Sequence, residues 1–462
     1  MLPSAIAPPI LILAEFVLLA ASVIYSILIL VVFVLLAASV IYKHSDHDIF
    51  HPLILLTGLF GYFVIVPGMY IALTGEFSSL YTAGYPALAG ALTVLFAAYL
   101  VILGAFYVTS RVLESRYGSD SFGYLDHAWH FYPRGRLNHI GHFRVLTVLG
   151  VVGVLLGIVF YEYYVVVNGG HIRLLTVQPR TTFQQEPNMA RYRWLAQAGL
   201  FGGAATVLLG QRPQLESGNI GIREIVVAGV PVTLAVAAAI SFRARGLILV
   251  LGIYLVIYIY TTGRTADRTV ALTAAVVIAV GGAFSAVEIA LIGSGPGGSG
   301  GSLIEGFVHT ARLNVFIGIV TLVPSEYPYQ LGSTLVGALP IETGVGSYGE
   351  QAALLLGAKA DGVTLSGMLP GELWLNAGLM GVVGGAAVYG VALRIIYTLR
   401  GRASYVVRGI YPVILTSVLL IWTTNVLWAT KTLGLQLVMP VVASLAVVRT
   451  VSLAENRYTE AR

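Results

Sequence analysis

The sequence predicts an all-α integral membrane protein, a polytopic helical bundle of about eleven transmembrane helices with one long, partly helical outer loop. Apolar residues occupy 57% of the 462 positions and charged residues only 10%, whereas an average soluble domain has roughly 25% charged residues. Apolar runs of about 20 residues recur along the whole chain, which is the length that a helix needs to cross the hydrocarbon core. A soluble chain of this size would need far more polar surface.

The predicted spans follow one another along residues 1–462, which form a single transmembrane domain. The first apolar run is the longest, because the segment FVLLAASVIY occurs twice, at Phe16–Tyr25 and Phe33–Tyr42. We interpret this run as one lengthened helix of about 50 Å. Residues 293–375 form the long extracytoplasmic loop. The predicted spans are 18–42, 52–74, 84–110, 145–167, 194–210, 225–242, 247–262, 269–292, 376–397, 409–429 and 434–452.

The distribution of basic residues predicts the orientation of the chain, because Lys and Arg are concentrated in cytoplasmic loops. Arginines cluster between residues 394 and 408, after the ninth predicted span, and we place that loop inside. Alternation of the spans then puts 17 of the 26 basic residues inside and 9 outside. The amino terminus is therefore expected outside and the carboxyl terminus in the cytoplasm.

Several arginines lie in predicted outer loops, although translocation of positive charge opposes the usual bias. A guanidinium group binds phosphate or carboxylate through parallel N–H donors, so these arginines are candidate ligands for an anion. The alternative is that each one anchors a helix end or pairs with a nearby glutamate. Arginine also outnumbers lysine 23 to 3 in the whole chain, which weakens an inference from residue type. The outer-loop residues are Arg173, Arg180, Arg191, Arg193, Arg243, Arg245 and Arg312.

The long outer loop contains one stretch whose side chains could carry catalysis. Residues 303–323 are predicted to form a helix, with Glu305, His309 and Arg312 at i, i+4 and i+7 on one face. A carboxylate, an imidazole and a guanidinium on one face could bind an anionic group and transfer a proton nearby. The alternative is a solvated stripe on an interfacial helix.

Other classes of chemistry are excluded or disfavoured. The chain has no cysteine, which excludes disulfides and thiolate ligands or nucleophiles. The loop KHSDHDIFH at residues 43–51 matches no common metal-site spacing, so we predict no metal. The two halves of the chain show no inverted repeat and few charges at mid-membrane depth, which argues against a coupled transporter.

Four segments resemble the Wzy-type O-antigen polymerases, the oligosaccharide repeat-unit polymerases. The most specific segment is GELWLNAGLMGVVGGAAVYGVALR at Gly371–Arg394, in which a Gly-Glu-Leu-aromatic-x-Asn-x-Gly pattern enters a glycine-rich span. The spacing of ten residues between Arg191 and Gly202 is also similar to that of some members. The related O-antigen ligases share the architecture. The other segments are ARLN at Ala311–Asn314, YPYQLGSTLVGALP at Tyr327–Pro340 and SFRARG at Ser241–Gly246.

The resemblance implies a GT-C-like, metal-independent glycosyltransferase at the outer face of the plasma (inner) membrane, without a cofactor. Such an enzyme transfers a growing glycan from its polyprenyl diphosphate to a sugar hydroxyl on an incoming lipid-linked unit. The implied partners are a polyprenyl-diphosphate-linked oligosaccharide donor and acceptor, membrane lipids and a chain-length regulator protein, with no nucleic acid. The expected catalytic residues are His309, Arg312 and Glu305, with Glu326 as a further candidate base. The expected substrate-binding residues are Tyr327, Arg173, Arg180, Arg191, Arg193, Arg243 and Arg245.

Two other functions stay open at the level of the sequence. An O-antigen ligase would transfer glycan to lipid A core or to a protein. A transporter or flippase would move the same lipid-linked sugars across the membrane without forming a glycosidic bond.

Overall fold

The computed structural model describes the greater part of the chain, and the described residues are almost entirely helical. No residue in these ranges belongs to a β-strand, so the all-α fold that the composition predicts is confirmed. The described residues are 24–25, 27–41, 51–75, 84–117, 140–171, 187–217, 221–242, 245–261, 310–337, 347–357, 367–400, 405–426 and 429–460.

The protein is a multi-pass membrane protein, because 6 helices in the described ranges are long and apolar enough to cross a bilayer. They are Pro52–Thr74, Tyr85–Arg116, Phe143–Val167, Ile222–Ser241, Leu369–Thr398 and Gly434–Val451. The shorter apolar helices, of 10–17 residues, are Ile27–Ile41, Val250–Thr261, Arg312–Leu322 and Gly409–Thr423. The number of about eleven spans stays a prediction, since the predicted span 269–292 lies outside the described residues.

The helices, in chain order, are α1 (Ile27–Ile41), α2 (Pro52–Thr74), α3 (Tyr85–Tyr117), α4 (Ile140–Val167), α5 (187–217), α6 (Ile222–Ser241), α7 (Arg245–Thr261), α8 (Thr310–Leu322), α9 (Ser333–Gly337), α10 (Tyr348–Leu355), α11 (Leu369–Thr398), α12 (Tyr405–Thr423) and α13 (429–460). Short π-helical stretches interrupt α2 at Gly61–Ile65 and α5 at Ala198–Gly202. A third forms the start of α13 at Ala429–Val438.

The first compact unit consists of Met1–Ser110, Ile304–Arg394 and Ile421–Trp428. Its apolar core includes Val315 and Ile319 of α8, Tyr348 of α10 and Leu375 of α11. Phe316 of α8 is also fully buried. The described part of the predicted helix, residues 310–322, is therefore a core helix of this unit, whereas Glu305 and His309 of the predicted stripe lie outside the described residues. Burial of a large apolar side chain contributes roughly 1.5–3 kcal/mol, so these contacts fix the position of α8.

The second compact unit consists of Arg111–Leu303, Ile395–Leu420 and Ala429–Arg462. Glycines allow its helices to approach closely: a Cβ on Gly157 of α4 would lie 2.6 Å from the backbone nitrogen of Leu200 in α5. Small residues are favoured between membrane helices because van der Waals contact drives their association. Gly202 of α5 meets Pro440 of α13 with no room for a Cβ. The glycine that lies at the noted spacing from Arg191 thus has a packing role.

Candidate functional site

The segment with the most specific motif forms the first turns of α11 and ends in a kink. The backbone leaves the helical region at Ala377 (φ −150°, ψ 22°) and Gly378 (φ 58°, ψ −146°). Glycine is required at the second position, since its φ is positive and a Cβ would lie 2.5 Å from the hydroxyl oxygen of Tyr329. The kink therefore depends on the last glycine of the sequence GELWLNAG.

A neighbouring turn supplies hydrogen-bond donors to the kinked part of α11. The N–H of Gln330 donates to the carbonyl oxygen of Leu375 at 2.9 Å, and the N–H of Leu331 donates to that of Asn376 at 3.1 Å. The side-chain Oδ1 of Asn376 accepts from the N–H of Gly332 at 2.8 Å. Because an unpaired buried carbonyl group is costly, the kink and the turn stabilise each other.

Two further motif residues attach α11 to its neighbours in the first unit. The indole Nε1 of Trp374 donates to the carbonyl oxygen of Val323, after α8, at 2.9 Å. Gly371 packs directly against Tyr348 of α10. The motif residues thus hold α8, α10 and the 330–332 turn around the start of α11.

A second interruption of helical structure follows α12, at the polar sequence Thr423-Thr424-Asn425, and we call residues 423–426 the helix break. Helical structure resumes at Val426. Arg312 donates from Nη1 to the carbonyl oxygen of Thr423 at 2.7 Å. Glu372 accepts from the N–H of Val426 through Oε2 at 2.8 Å. The carboxyl end of a helix carries partial negative charge and the amino end carries partial positive charge. The positive Arg312 therefore faces a carbonyl group, and the negative Glu372 faces an N–H group.

The guanidinium of Arg312 is held on one side by the protein and has N–H groups on the other side that could bind an anion. Its Cζ lies 4.8 Å from the centroid of the Phe63 ring, and one N–H is bonded to Thr423. Within the part of the chain that the structure describes, its remaining N–H groups have no hydrogen-bond acceptor and no carboxylate forms an ion pair with it. A guanidinium that is held by one N–H and a ring face can present parallel donors to phosphate oxygens.

Glu372 is a fully buried carboxylate, with 0% exposure. Besides Val426, its side chain contacts the hydroxyl of Thr334 at 3.5 Å. Among the described residues no basic side chain forms an ion pair with it. A buried carboxylate without a cation is costly unless N–H donors compensate it, and the amide end of the helix break provides that compensation.

Sequence reasoning did not identify Glu372, Asn376 or the helix break as parts of the site. It placed residues 371–375 in the outer loop, whereas α11 begins at Leu369. The available signals were a glutamate at the start of a glycine-rich span and three consecutive polar residues within the apolar stretch IWTTNVLW.

The predicted diphosphate ligands Arg191 and Arg193 lie near the start of α5, in the second unit. Arg191 is exposed. Arg193 donates from Nη2 to the carbonyl oxygen of Phe242 at 3.2 Å, and its Cζ lies 5.4 Å from the centroid of the same residue's ring. Phe242 is the C-cap of α6, so Arg193 stabilises a helix end. This contact agrees with the alternative of helix-end anchoring for this arginine.

Three other predicted site residues have described positions. Glu326 and Tyr327 lie in the turn after α8 and are both exposed, Tyr327 by 38%. Arg245 is the first residue of α7. No group of three or more His, Cys, Asp or Glu residues within the described ranges could hold a metal ion. The predictions for Arg173, Arg180, Arg243, Glu305 and His309 lie outside the described residues.

Described parts of the segments ARLN, YPYQLGSTLVGALP and GELWLNAG meet in the first unit. Arg312 comes from the first, Thr334 from the second and Glu372 from the third, and hydrogen bonds link them to one another or to the helix break. Comparisons with protein-family models, with curated proteins and with solved structures find no match to this chain.

Proposed function

We propose that the protein is a membrane glycosyltransferase that polymerises polyprenyl-diphosphate-linked oligosaccharide repeat units at the outer face of the plasma membrane. The observation that carries the proposal is the guanidinium of Arg312, which is anchored to Thr423, lies over Phe63 and keeps N–H donors for another ligand. A group of this kind suits a reaction whose leaving group becomes a diphosphate anion.

In the proposed reaction, a sugar hydroxyl on the acceptor attacks the anomeric carbon of the donor glycan. The new glycosidic C–O bond forms as the C–O bond to the polyprenyl diphosphate breaks, and the electron pair of the broken bond leaves with the diphosphate. Arg312 stabilises the negative charge that develops on the phosphate oxygens. The hydroxyl proton passes to a general base, for which His309, Glu305 and Glu326 are the candidates.

The proposed topology has about eleven spans, with the amino terminus outside and residues 168–193 and 293–368 on the outer face, since α11 begins at Leu369. Its support is the placement of 17 of the 26 basic residues on the inner side. Single cysteines introduced into this cysteine-free chain test it with an impermeant thiol reagent in intact cells. Labelling at residue 180 and not at residue 130 is expected, and the opposite pattern would exclude chemistry at the outer face.

A transporter or flippase of lipid-linked sugars is the second candidate, and the interruptions of helical structure favour it. Non-helical backbone at membrane depth occurs where it is buried in protein or lines a cavity, and carriers bind substrates and ions at such half-helix ends. The kink at Ala377–Gly378 and the helix break both fit this description, and Glu372 faces the amide end of the break. The two candidates differ in one respect, because only the polymerase forms a glycosidic bond.

Purified protein in liposomes, supplied with lipid-linked repeat units on both sides and with a chelator, decides between the candidates. The polymerase gives lipid-linked products of more than one repeat unit, and the Arg312→Ala variant forms them about 10²-fold more slowly. Transfer of a fluorescent lipid-linked unit between leaflets without longer products would identify the carrier. Transfer only to an added lipid A core or protein acceptor would identify a ligase.

A further inference from the structure

We infer that Glu372 is a positioning residue that orients Arg312 through the helix break at residues 423–426, an inference that rests on the proposed function. The two side chains hold opposite ends of the same short stretch of backbone. Arg312 bonds to its first carbonyl oxygen, at Thr423, and Glu372 bonds to its last N–H, at Val426.

The orientation of Arg312 depends on the position of that carbonyl group. A guanidinium carries several N–H donors in one plane, and a single hydrogen bond with one ring contact determines the direction of that plane. Here the hydrogen bond is the one to Thr423 and the ring is Phe63. If the break were free to turn, the Thr423 carbonyl would move and the open edge of Arg312 would no longer face a fixed point.

Glu372 fixes the other end of the break from a rigid position. Its own carbonyl oxygen accepts from Nδ2 of Asn376 at 2.7 Å, and the same Nδ2 donates to the hydroxyl of Thr334 at 2.6 Å. That hydroxyl also contacts Oε1 of Glu372 at 3.5 Å. The carboxylate is therefore held by α11 and α9 while it binds the amide of Val426. A connected chain of contacts runs from Thr334 of α9 through Glu372 and the helix break to Arg312.

The test is a double-mutant cycle on polymerisation by the full-length protein in liposomes, with rates corrected for the folded fraction. Glu372→Ala should lower kcat by roughly 10- to 100-fold, as expected for loss of a hydrogen bond to a charged group, with a smaller change in KM. Glu372→Gln should restore most of the lost rate, because an amide oxygen accepts the same N–H. In the Arg312→Ala background, Glu372→Ala should lower kcat by less than about threefold, because the arginine that Glu372 orients is already absent.

Glu350 provides a matched control in the same unit. Its Oε2 accepts from the N–H of Ser347 at 2.7 Å, at the start of α10, so it makes the same kind of contact with no connection to Arg312. Glu350→Ala should leave kcat within about twofold of the wild type, even where it lowers the unfolding midpoint.

If Glu372→Ala does not fold, Val426→Pro removes the same hydrogen bond from the donor side. Proline lacks the N–H and is tolerated in the first turn of a helix. Val426→Pro should lower kcat as Glu372→Ala does, and combining it with Arg312→Ala should cause no further loss of kcat. Losses that multiply in the double variants, or a Glu372→Gln variant as slow as Glu372→Ala, would overturn the inference while leaving the proposed function intact. A wild-type protein that forms no polymer would instead overturn the proposed function.

Discussion

Arginines in the two units make the same pair of contacts, but they differ in how many N–H donors remain for a ligand. Each donates to the carbonyl oxygen at the carboxyl end of a helix and lies over an aromatic ring. In the second unit Arg212 reaches the carbonyl oxygen of Thr261, the last residue of α7, at 2.7 Å and lies over Tyr258. Arg193 binds the C-cap of α6 in the same way. In the first unit Arg312 binds the last residue of α12.

The difference lies in the remaining donors. Arg212 is 0% exposed, also donates to the hydroxyl of Thr261 at 3.4 Å, and has further interactions, as does Arg193. Arg312 is half-buried, and within the described ranges it uses one N–H. A cation at the carboxyl end of a helix is stabilising in itself, by roughly 0.3–1 kcal/mol at exposed sites. An arginine in a predicted outer loop therefore needs no ligand to explain it, and only one with N–H donors left over is a candidate for anion binding.

The largest effect is expected at Arg312. Arg312→Ala should lower kcat of polymerisation by about 10²-fold or more, as for loss of one transition-state donor. Arg312→Lys should be nearly as damaging, because lysine keeps the charge but loses the planar fork. Turnover of lipid-linked units by purified variants measures both.

Arg111 is the control for general loss of positive charge, since its side chain is 87% exposed and pairs only with Glu114 among the described carboxylates. Arg111→Ala should leave turnover unchanged. Full activity of Arg312→Lys would show that Arg312 only caps a helix, as Arg193 and Arg212 do in the second unit, and does not bind the diphosphate.

Arg212 should show the opposite pattern, a loss of stability without a loss of turnover per folded molecule. Arg212→Ala removes a fully buried side chain and leaves the half-buried carbonyl oxygen of Thr261 without this donor, which should cost about 2 kcal/mol of stability. The midpoint of thermal unfolding in detergent measures the loss, with Arg212→Lys as the partial replacement. A variant of unchanged stability and abolished activity would show that an arginine without spare donors can also serve the reaction.

Gly378 tests whether the first unit depends on its kink. Gly378→Ala places a Cβ at positive φ, 2.5 Å from the hydroxyl oxygen of Tyr329, and should cost about 1–2 kcal/mol of stability. The second substitution Tyr329→Phe removes the clashing oxygen and should recover part of the loss. Gly384 of the same helix has open space around its Cβ position, so Gly384→Ala is the control. Equal effects at the two glycines would show that the kink is not specified by residue 378.

The helices were predictable because the length and hydrophobicity of a segment are local properties. The span predicted at 52–74 has the same bounds as α2, Pro52–Thr74, and that at 145–167 lies within α4. The predicted start of α11 is too late in the chain, because hydropathy places the charged Glu372 in the loop whereas it lies in the first turn of the helix. A charged residue can begin a membrane helix when another part of the fold compensates it, and hydropathy does not contain that information.

Of the candidate site, the sequence predicts Arg312 but neither Glu372 nor the helix break. The predicted outer position and the residue type point to Arg312, but its partner Thr423 lies 111 residues away and the partner of Glu372 lies 54 residues away. Periodicity relates residues a few positions apart, so it cannot pair these segments. The same limit hides the contact of Arg193 with Phe242, which spans 49 residues.

The smallest expected effect is on stability in acid, and it concerns His51 of the first unit, which lies near Arg394. His51 is the N-cap of α2, where its Nδ1 accepts from the N–H of Leu53 at 3.3 Å. Its ring and the guanidinium of Arg394 both lie against Phe106. Burial, with the charge of Arg394 as the lesser cause, lowers the pKa of His51 from 6.5 to about 4. The imidazole is therefore neutral in the folded protein at neutral pH, which the cap requires.

This pKa shift predicts a loss of stability in acid. Between the two pKa values the unfolded chain binds more protons than the folded one, so the stabilisation is fully present above about pH 6.5 and is lost as the pH falls towards about 4. At about pH 5.5 the loss should be about 1 kcal/mol. Unfolding midpoints measured at several pH values would show it. His51→Asn keeps an acceptor at the N-cap and removes the titration, so its unfolding midpoint should vary less over this range. An unchanged pH dependence in that variant would mean that a group other than His51 titrates.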